Sequence, residues 1–277
     1  MFTIGGVYAI VSGLAELTLR ARRIPAWSRK SPVFAGLTAV VFVAIAGNID
    51  GLIQVVQGAS RTFLQDQPFG FFDFWRSSRM MAPDSPGNEI TEFPFFTFLF
   101  ADLHAHLIAI PIAITAFAAT IAAYLRIGRN RHWAESLSGL FVIGVLIGSL
   151  RAINAWDFPT QLLLAGGFLV GGQLLASNKS FFGKIVIGGA SALFVAAVGH
   201  VVFLPFHSNF ELFNNGVIKS QFTTDLWRYI VIHSLFLLVI LSWLLFMWRE
   251  KLADALASVT NAPLPGSGLG GWTWQIM

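Results

Sequence analysis

The chain has 277 residues and a mass of 30.3 kDa; 55% of it is hydrophobic, 12% is charged, and the formal net charge is +4. A soluble globular domain carries about 25% charged residues, and half that density cannot coat a water-facing surface, so an ordinary soluble enzyme, a disordered chain and a collagen-like fibre are excluded. Cysteine is absent, which removes disulfides, thiolate metal sites and thiol catalysis, and the small positive excess fits the loop anchors of a membrane protein rather than a nucleic-acid surface.

Apolar runs fall near 2–19, 33–57, 97–125, 137–153, 159–177, 185–205 and 229–248. Each approaches the ~20 residues that cross a ~30 Å hydrocarbon core as a helix. Strands of a transmembrane barrel would be ~10 residues long with alternating polarity, and these runs do not alternate. The pattern therefore predicts an all-α, polytopic transmembrane bundle of about seven spans, with 1–255 as a single integral-membrane domain. The first run has no basic residue before it and an arginine cluster after it, which is not the order of a signal peptide. Between the second and third runs, about 58–96 is rich in proline and phenylalanine and predicts an outer loop with short interfacial helices. A second outer loop is expected over 206–228. Residues 256–277 read as a Pro/Gly-rich tail.

Charge sets the expected orientation. Arg20, Arg22, Arg23, Arg29 and Lys30 follow the first run, Arg126, Arg129 and Arg131 the third, Lys179 and Lys184 the fifth, and Arg249 and Lys251 the seventh. In an alternating topology these outnumber Arg61, Arg76, Arg79, Arg151, Lys219 and Arg228 on the opposite side, so the first side is expected to be cytoplasmic. Most acidic residues fall on the other, extracytoplasmic side. Acids contribute little to orientation, so this enrichment points to chemistry there.

Four polar constellations stand out. The segment EITEFPFFTFLFADLHAH carries Glu92, Asp102, His104 and His106. On a continuous helix Asp102 and His106 would share a face at i and i+4, with His104 pointing away from both. The pair would suit a hard divalent ion such as Mg or Mn, or a general base with its orienting partner; polar groups satisfied by neighbouring helices would look the same. The segment RAINAWDFPT places Arg151, Asn154, Trp156 and Asp157 at a helix end. There Arg151 would grip a phosphate, Trp156 would stack on a sugar ring and Asp157 would take a proton or a cation; the alternative is interfacial anchoring with Arg151 paired to Asp157. The segment GNIDG offers Asn48 and Asp50, and FDFWRSSR offers Arg76 and Arg79, expected to face together on a helical turn and to suit a lipid phosphate. The bland reading of the last is a solvated salt bridge with Asp73. A weaker set is His207, Asn209, Lys219, Asp225 and Arg228. His132, His200 and His233 read as isolated loop or packing residues. No Walker loop, dinucleotide fingerprint, zinc-protease helix or nucleophile elbow is present.

The strings GNIDG, FDFWRSSR, ITEFPFFTFLFADLHAH, NAWDFPT and FLPFHSNF occur in this order. Together they resemble the Chlor_Arch_YYY family, domain-of-unknown-function family 2298, over about 40–235. That family is similar to the GT-C group of integral-membrane glycosyltransferases. The resemblance implies a many-helix fold with an outward-facing active site, a polyprenyl-phosphate sugar donor and often a divalent cation. It singles out Glu92, Asp102, His104, His106, Asn154, Trp156 and Asp157. The tyrosine run for which the family is named is missing, since Tyr8, Tyr124 and Tyr229 are scattered, and the chain reads as an internal piece of a longer protein. The family's DLHPH pattern stands here as DLHAH, and Ala105 in place of proline is expected to let its helix begin earlier.

The expected function is sugar transfer from a polyprenyl-phosphate donor at the outer face of the membrane. In it, Asn48, Asp50, Arg76, Arg79, Arg151, Asn154 and Trp156 would bind substrate, and Glu92, Asp102, His104, His106 and Asp157 would serve the chemistry. The expected partners are the bilayer, the lipid-linked sugar and other membrane subunits, with no nucleic acid. The alternative is a non-catalytic membrane subunit or lipid-binding scaffold. A transporter ranks third, because no pair of broken helices with charges at mid-membrane is evident.

Overall fold

A long apolar segment surrounded by lipid has no water to satisfy its backbone, so it closes its own amide bonds as a helix. The computed structural model describes residues 2–21, 30–44, 46–73, 75–79, 91, 93–100, 104–128, 133–176, 178–210 and 223–260. Their elements are α1 (Phe2–Ala21), α2 (Lys30–Ala44), α3 (Asp50–Gln65), a single 3-10 turn (Arg76–Ser78), α4 (Pro94–Phe100), α5 (Ala105–Tyr124), α6 (Trp133–Ile153), α7 (Asp157–Ala176), α8 (Phe181–Val202), α9 (Leu204–Asn209) and α10 (Leu226–Thr260). No strand occurs among the described residues. Among them, α1, α5, α6, α7, α8 and α10 are long and apolar enough to span a membrane, and a shorter apolar helix, Ser31–Ala44, joins them. The protein is an all-α polytopic bundle, as its apolar runs predict.

Three runs divide where the sequence looked continuous. The run expected at 33–57 is α2 and α3. The break falls at Gly47–Asn48: Asn48 Oδ1 accepts from the Asp50 N–H at 3.1 Å, drawing the backbone out of the helical ladder. The run expected at 97–125 is α4 and α5. His104 caps α5 in an extended conformation, with φ −65° and ψ 155°. Helix α5 therefore begins at Ala105 itself. That is the first helical position, which proline also accepts, so alanine there does not carry the start upstream as expected. The run expected at 185–205 is α8, a break at Phe203 and the short α9. At the other end of the chain α10 continues to Thr260, past the boundary expected at 255, and 261–277 lie outside the described residues.

Helix α3 is amphipathic in an inverted sense. Asp50, Gln54 and Gly58, spaced one turn apart, are buried, while Leu52, Val55, Val56, Phe63 and Leu64 are exposed. A helix that hides polar groups in the protein and shows leucine, valine and phenylalanine outward suits the interfacial zone of a bilayer. It begins eight residues before the outer loop expected at 58.

Helices α5, α6, α7 and α8 form the central bundle around Ala116, Ile143, Ile147, Ala165, Leu169 and Val195. The α1–α2 hairpin packs on α5, where a Cβ on Gly6 would lie 3.0 Å from Ile114. Lipid tails are as apolar as leucine, so burial does not hold such helices together; close backbone packing does. Helices α6 and α8 meet through Gly144, Gly148 and Gly199. A Cβ on Gly148 would stand 2.5 Å from the Gly199 carbonyl oxygen, and one on Gly199 would stand 2.9 Å from the Gly144 carbonyl oxygen. No side chain larger than hydrogen fits at this crossing. It sets α6 and α8 at one height, so Arg151 and His200, just beyond the glycines, emerge at the same end of the bundle. At the opposite end, Arg126, Glu135 and Lys179 share a cavity of about 920 Å³, Ser180 caps α8 by accepting from the Gly183 N–H at 3.2 Å, and Lys184 Nζ donates to the Leu174 carbonyl at 3.0 Å, closing the end of α7.

Candidate functional site

The polar segments picked from the sequence gather at the end of the bundle where α2, α6 and α8 finish and α3, α5 and α7 start. Two clusters form there from the described residues.

The first joins GNIDG to FDFWRSSR. Asp50 is 3% exposed. Its Oδ1 accepts from Arg76 Nε at 2.9 Å and from Arg76 Nη2 at 2.7 Å. Its Oδ2 accepts from Gln54 Nε2 at 2.8 Å and from Ser77 Oγ at 3.0 Å. Gln54 also reads the backbone of Asp73, donating to its carbonyl at 2.9 Å and accepting from its N–H at 2.8 Å. Asn48 Nδ2 donates to the Ser77 carbonyl at 2.5 Å. Burial pushes the Asp50 carboxyl upward, but the hydrogen bonds from Arg76, Gln54 and Ser77 and the Arg76 charge outweigh it and hold the group below the usual carboxylate range. Asp73, expected to form a salt bridge with the arginines, serves the backbone instead: its Oδ1 accepts from the N–H groups of Trp75 at 2.9 Å and Arg76 at 3.2 Å and so starts the 3-10 turn.

Arg76 and Arg79 take different partners. Arg76 turns inward to Asp50, with 41% of its side chain exposed. Arg79 donates to the Ser78 carbonyl and hydroxyl at 3.0 Å each, and its guanidinium lies 5.0 Å from the centre of the Trp75 ring. Trp75 in turn meets Phe96 of α4 edge-on at 5.5 Å. Beside this cluster, a crevice of about 640 Å³ lies between the end of α2, the start of α4 and α10, lined by Phe42, Gly47, Asn48, Phe93, Tyr229 and His233. Gly47 forms its narrow wall, since a Cβ there would fall inside the Phe93 ring. Helix α10 is tied in where the Ile49 N–H donates to the Val231 carbonyl at 3.4 Å and to Ser234 Oγ at 3.2 Å.

The second cluster is built on the α6–α7 turn. Asn154 Nδ2 donates to Asp157 Oδ2 at 3.0 Å, and the Asn154 carbonyl accepts from the Asp157 N–H at 3.0 Å. Asp157 opens α7, where a negative charge suits the positive end of the helix dipole. The Arg151–Asp157 pair of the alternative reading does not form: the Arg151 guanidinium lies 5.8 Å from the centre of the Phe158 ring. Trp156 is 85% exposed.

His200 and His207 complete this end, and sequence reasoning passed over the first and ranked the second low. Their rings stack at 5.4 Å with 20° between planes. His207 Nε2 is buried with no hydrogen-bond partner. Burial first, then the Arg151 and His200 charges, depress its basicity below the ordinary imidazole value. Positions 200 and 207 are seven apart, a spacing that returns to the same helix face. Between them the helix is interrupted only at Phe203, where α8 ends and α9 starts with Pro205 in its first turn.

His104 and His106 sit exposed at the start of α5 with their rings stacked at 5.8 Å. His104 was expected to point away from His106. It does not, because it precedes the helix in extended backbone rather than standing more than half a turn around it. Glu92 and Asp102 lie outside the described residues. Among the described residues no three His, Asp or Glu side chains are placed to hold a metal ion.

Sequence comparison agrees with this architecture. The chain belongs to a family of uncharacterized membrane proteins, DUF2298, whose sequence profile matches residues 2–272. No curated protein and no solved structure matches it.

Proposed function

From membership of that membrane family and the chemistry gathered at one end of the bundle, we propose that this protein transfers a sugar from a polyprenyl-phosphate donor to a hydroxyl acceptor at the extracytoplasmic face. The observation that carries the reading is the α6–α7 turn: a cation, an amide–carboxylate pair and a widely exposed indole within seven residues, Arg151 to Asp157. Each has a role in such a reaction. Arg151 would hold the donor phosphate, which a guanidinium grips with parallel N–H bonds. Trp156 would stack on the sugar. The acceptor oxygen would attack the anomeric carbon as its bond to the phosphate oxygen breaks; the phosphate leaves with that electron pair, and Asp157 takes the acceptor proton. Asn154 orients Asp157 by donating to Oδ2, while Oδ1 makes no hydrogen bond among the described residues.

Asp102 with His106 remains the proposed seat of a Mg or Mn ion, whose chemistry would be to offset charge on the departing phosphate. Glu92 is the alternative to Asp157 as the group that takes the acceptor proton, and His104 belongs to the proposal with His106, whose ring it meets at 5.8 Å. Asn48, Asp50, Arg76 and Arg79 would act on substrate mainly by shaping the wall beside the crevice, with the exposed part of Arg76 as a phosphate contact. The prenyl chain would lie in the lipid-facing crevice bounded by Phe42, Phe93 and Phe236.

Asp157→Asn tests the reading well, because asparagine still accepts from Asn154 but takes up no proton. Transfer from a polyprenyl-phosphate sugar in membranes is expected to fall by about 10²–10⁴-fold, the usual contribution of a general base, with unchanged membrane insertion. Asp102→Ala is expected to abolish transfer likewise. Full transfer by both variants would sink the mechanism.

A second reading draws on the first cluster. Asp50 and Arg76 satisfy each other so completely that they read as architecture, and a non-catalytic subunit or lipid-binding scaffold would need nothing more. It predicts copurifying membrane chains and no transfer by the wild type.

A further inference from the structure

We infer that Arg151, His200 and His207 together form an anion site, and that it takes the phosphate of a prenyl lipid. The lipid source rests on the function proposed above; the anion site rests on geometry. Three donor-bearing side chains from α6, α8 and α9 converge, and among the described residues none has an acidic partner. Among the described residues Arg151 forms no ion pair, and its guanidinium lies 5.8 Å from the centre of the Phe158 ring. The nearest described carboxylate in sequence, Asp157, is bound to Asn154. Leaving His207 Nε2 buried and unpaired is costly, and the Arg151 guanidinium has no ion-pair partner among the described residues. A phosphate oxygen removes both penalties at once. It offers Nε2–H the acceptor it lacks and gives the Arg151 guanidinium a partner.

The fold holds the cluster rigidly. The Gly148–Gly199 contact locks the ends of α6 and α8. Helix α9 follows α8 directly after Phe203, with the His207 N–H donating to the Phe203 carbonyl at 3.0 Å and Phe206 meeting the His207 ring edge-on at 5.8 Å. His200 is exposed and Arg151 half-buried, so an anion enters from their side. Trp156 stands fully out from the adjoining turn, in position to cover whatever the phosphate carries.

The test uses the full chain in phosphatidylcholine nanodiscs with undecaprenyl phosphate, undecaprenol and inorganic phosphate as probes. Wild type is expected to bind the lipid phosphate at least tenfold more tightly than the prenol. His207→Phe, which keeps an aromatic ring on Phe206 but no donor, and Arg151→Gln are each expected to erase most of that preference. His207→Gln, which restores an N–H donor, is expected to recover part of it. A thermal midpoint close to wild type shows that each variant folds. Equal binding of phosphate and prenol by wild type, or a preference unmoved in His207→Phe, overturns the proposal. Competition by inorganic phosphate with no preference between the two lipids keeps the anion site and overturns its lipid source. Binding as expected without any sugar transfer retains the site and removes the enzyme reading.

Discussion

Asp50 shows what a single residue does here. The sequence marks it as a polar group at the end of an apolar run, and the structure makes it the acceptor for Arg76, Gln54 and Ser77. Arg76→Ala would leave a buried carboxylate without its counter-charge. The expected cost is about 2–4 kcal/mol, between an exposed pair and a fully buried one, readable as a lowered midpoint in detergent unfolding. Because the folded Asp50 carboxyl is held below its ordinary value, its stabilisation is full above that value and disappears as pH falls through the lower folded one. The midpoint of the wild type should therefore drop on acidification below the ordinary carboxylate range, and that drop should shrink in Asp50→Asn. An acid response identical in both proteins would show that other carboxylates control it.

At the scale of elements, the α6–α8 crossing carries the most weight. Gly144, Gly148 and Gly199 let two backbones touch, which is how spanning helices gain packing when burial offers no gain. Gly148→Ala places a methyl against the backbone of Gly199, which cannot swing aside as a side chain would. A loss of about 1–3 kcal/mol is expected from overpacking, with a further effect at the site because Arg151 and His200 shift apart. Measuring unfolding alongside lipid-phosphate binding separates the two, and a Gly148→Ala protein equal to wild type in both would refute the crossing's role. Gly139, with open space around it, is the matched control. The spacing Gly-x-x-x-Gly at 144–148 was present in the sequence, but only contact with Gly199 shows which helix it serves.

For the whole molecule, sidedness is the decisive property, since sugar transfer requires the α6–α7 turn to face outward. The absence of cysteine makes the test direct. Trp156→Cys, at the α6–α7 turn, should react in intact cells with a membrane-impermeant maleimide. Ser138→Cys, which lines the cavity at the opposite end, should react only after permeabilisation. The reverse pattern would place the proposed site in the cytoplasm and rule out the extracytoplasmic reading.

The sequence by itself determined the fold class and most spans. Twenty apolar residues in a row leave a chain little choice in a bilayer, and that constraint is local. It also located the polar segments that gather at one end, because alternating spans return every second loop to the same face. It did not reveal the breaks at Asn48, His104 and Phe203, since one or two polar residues within an apolar run do not by themselves end a helix. Only the tertiary structure decided which polar groups satisfy one another. Asp50 meets Arg76 across 26 residues, and the His200 and His207 rings stack across the break between α8 and α9. Hydropathy registers the cost of placing a group near lipid and is blind to the partner that offsets it. That partner is chosen by helix packing, and the packing turns on a few glycines whose role appears only when two helices touch.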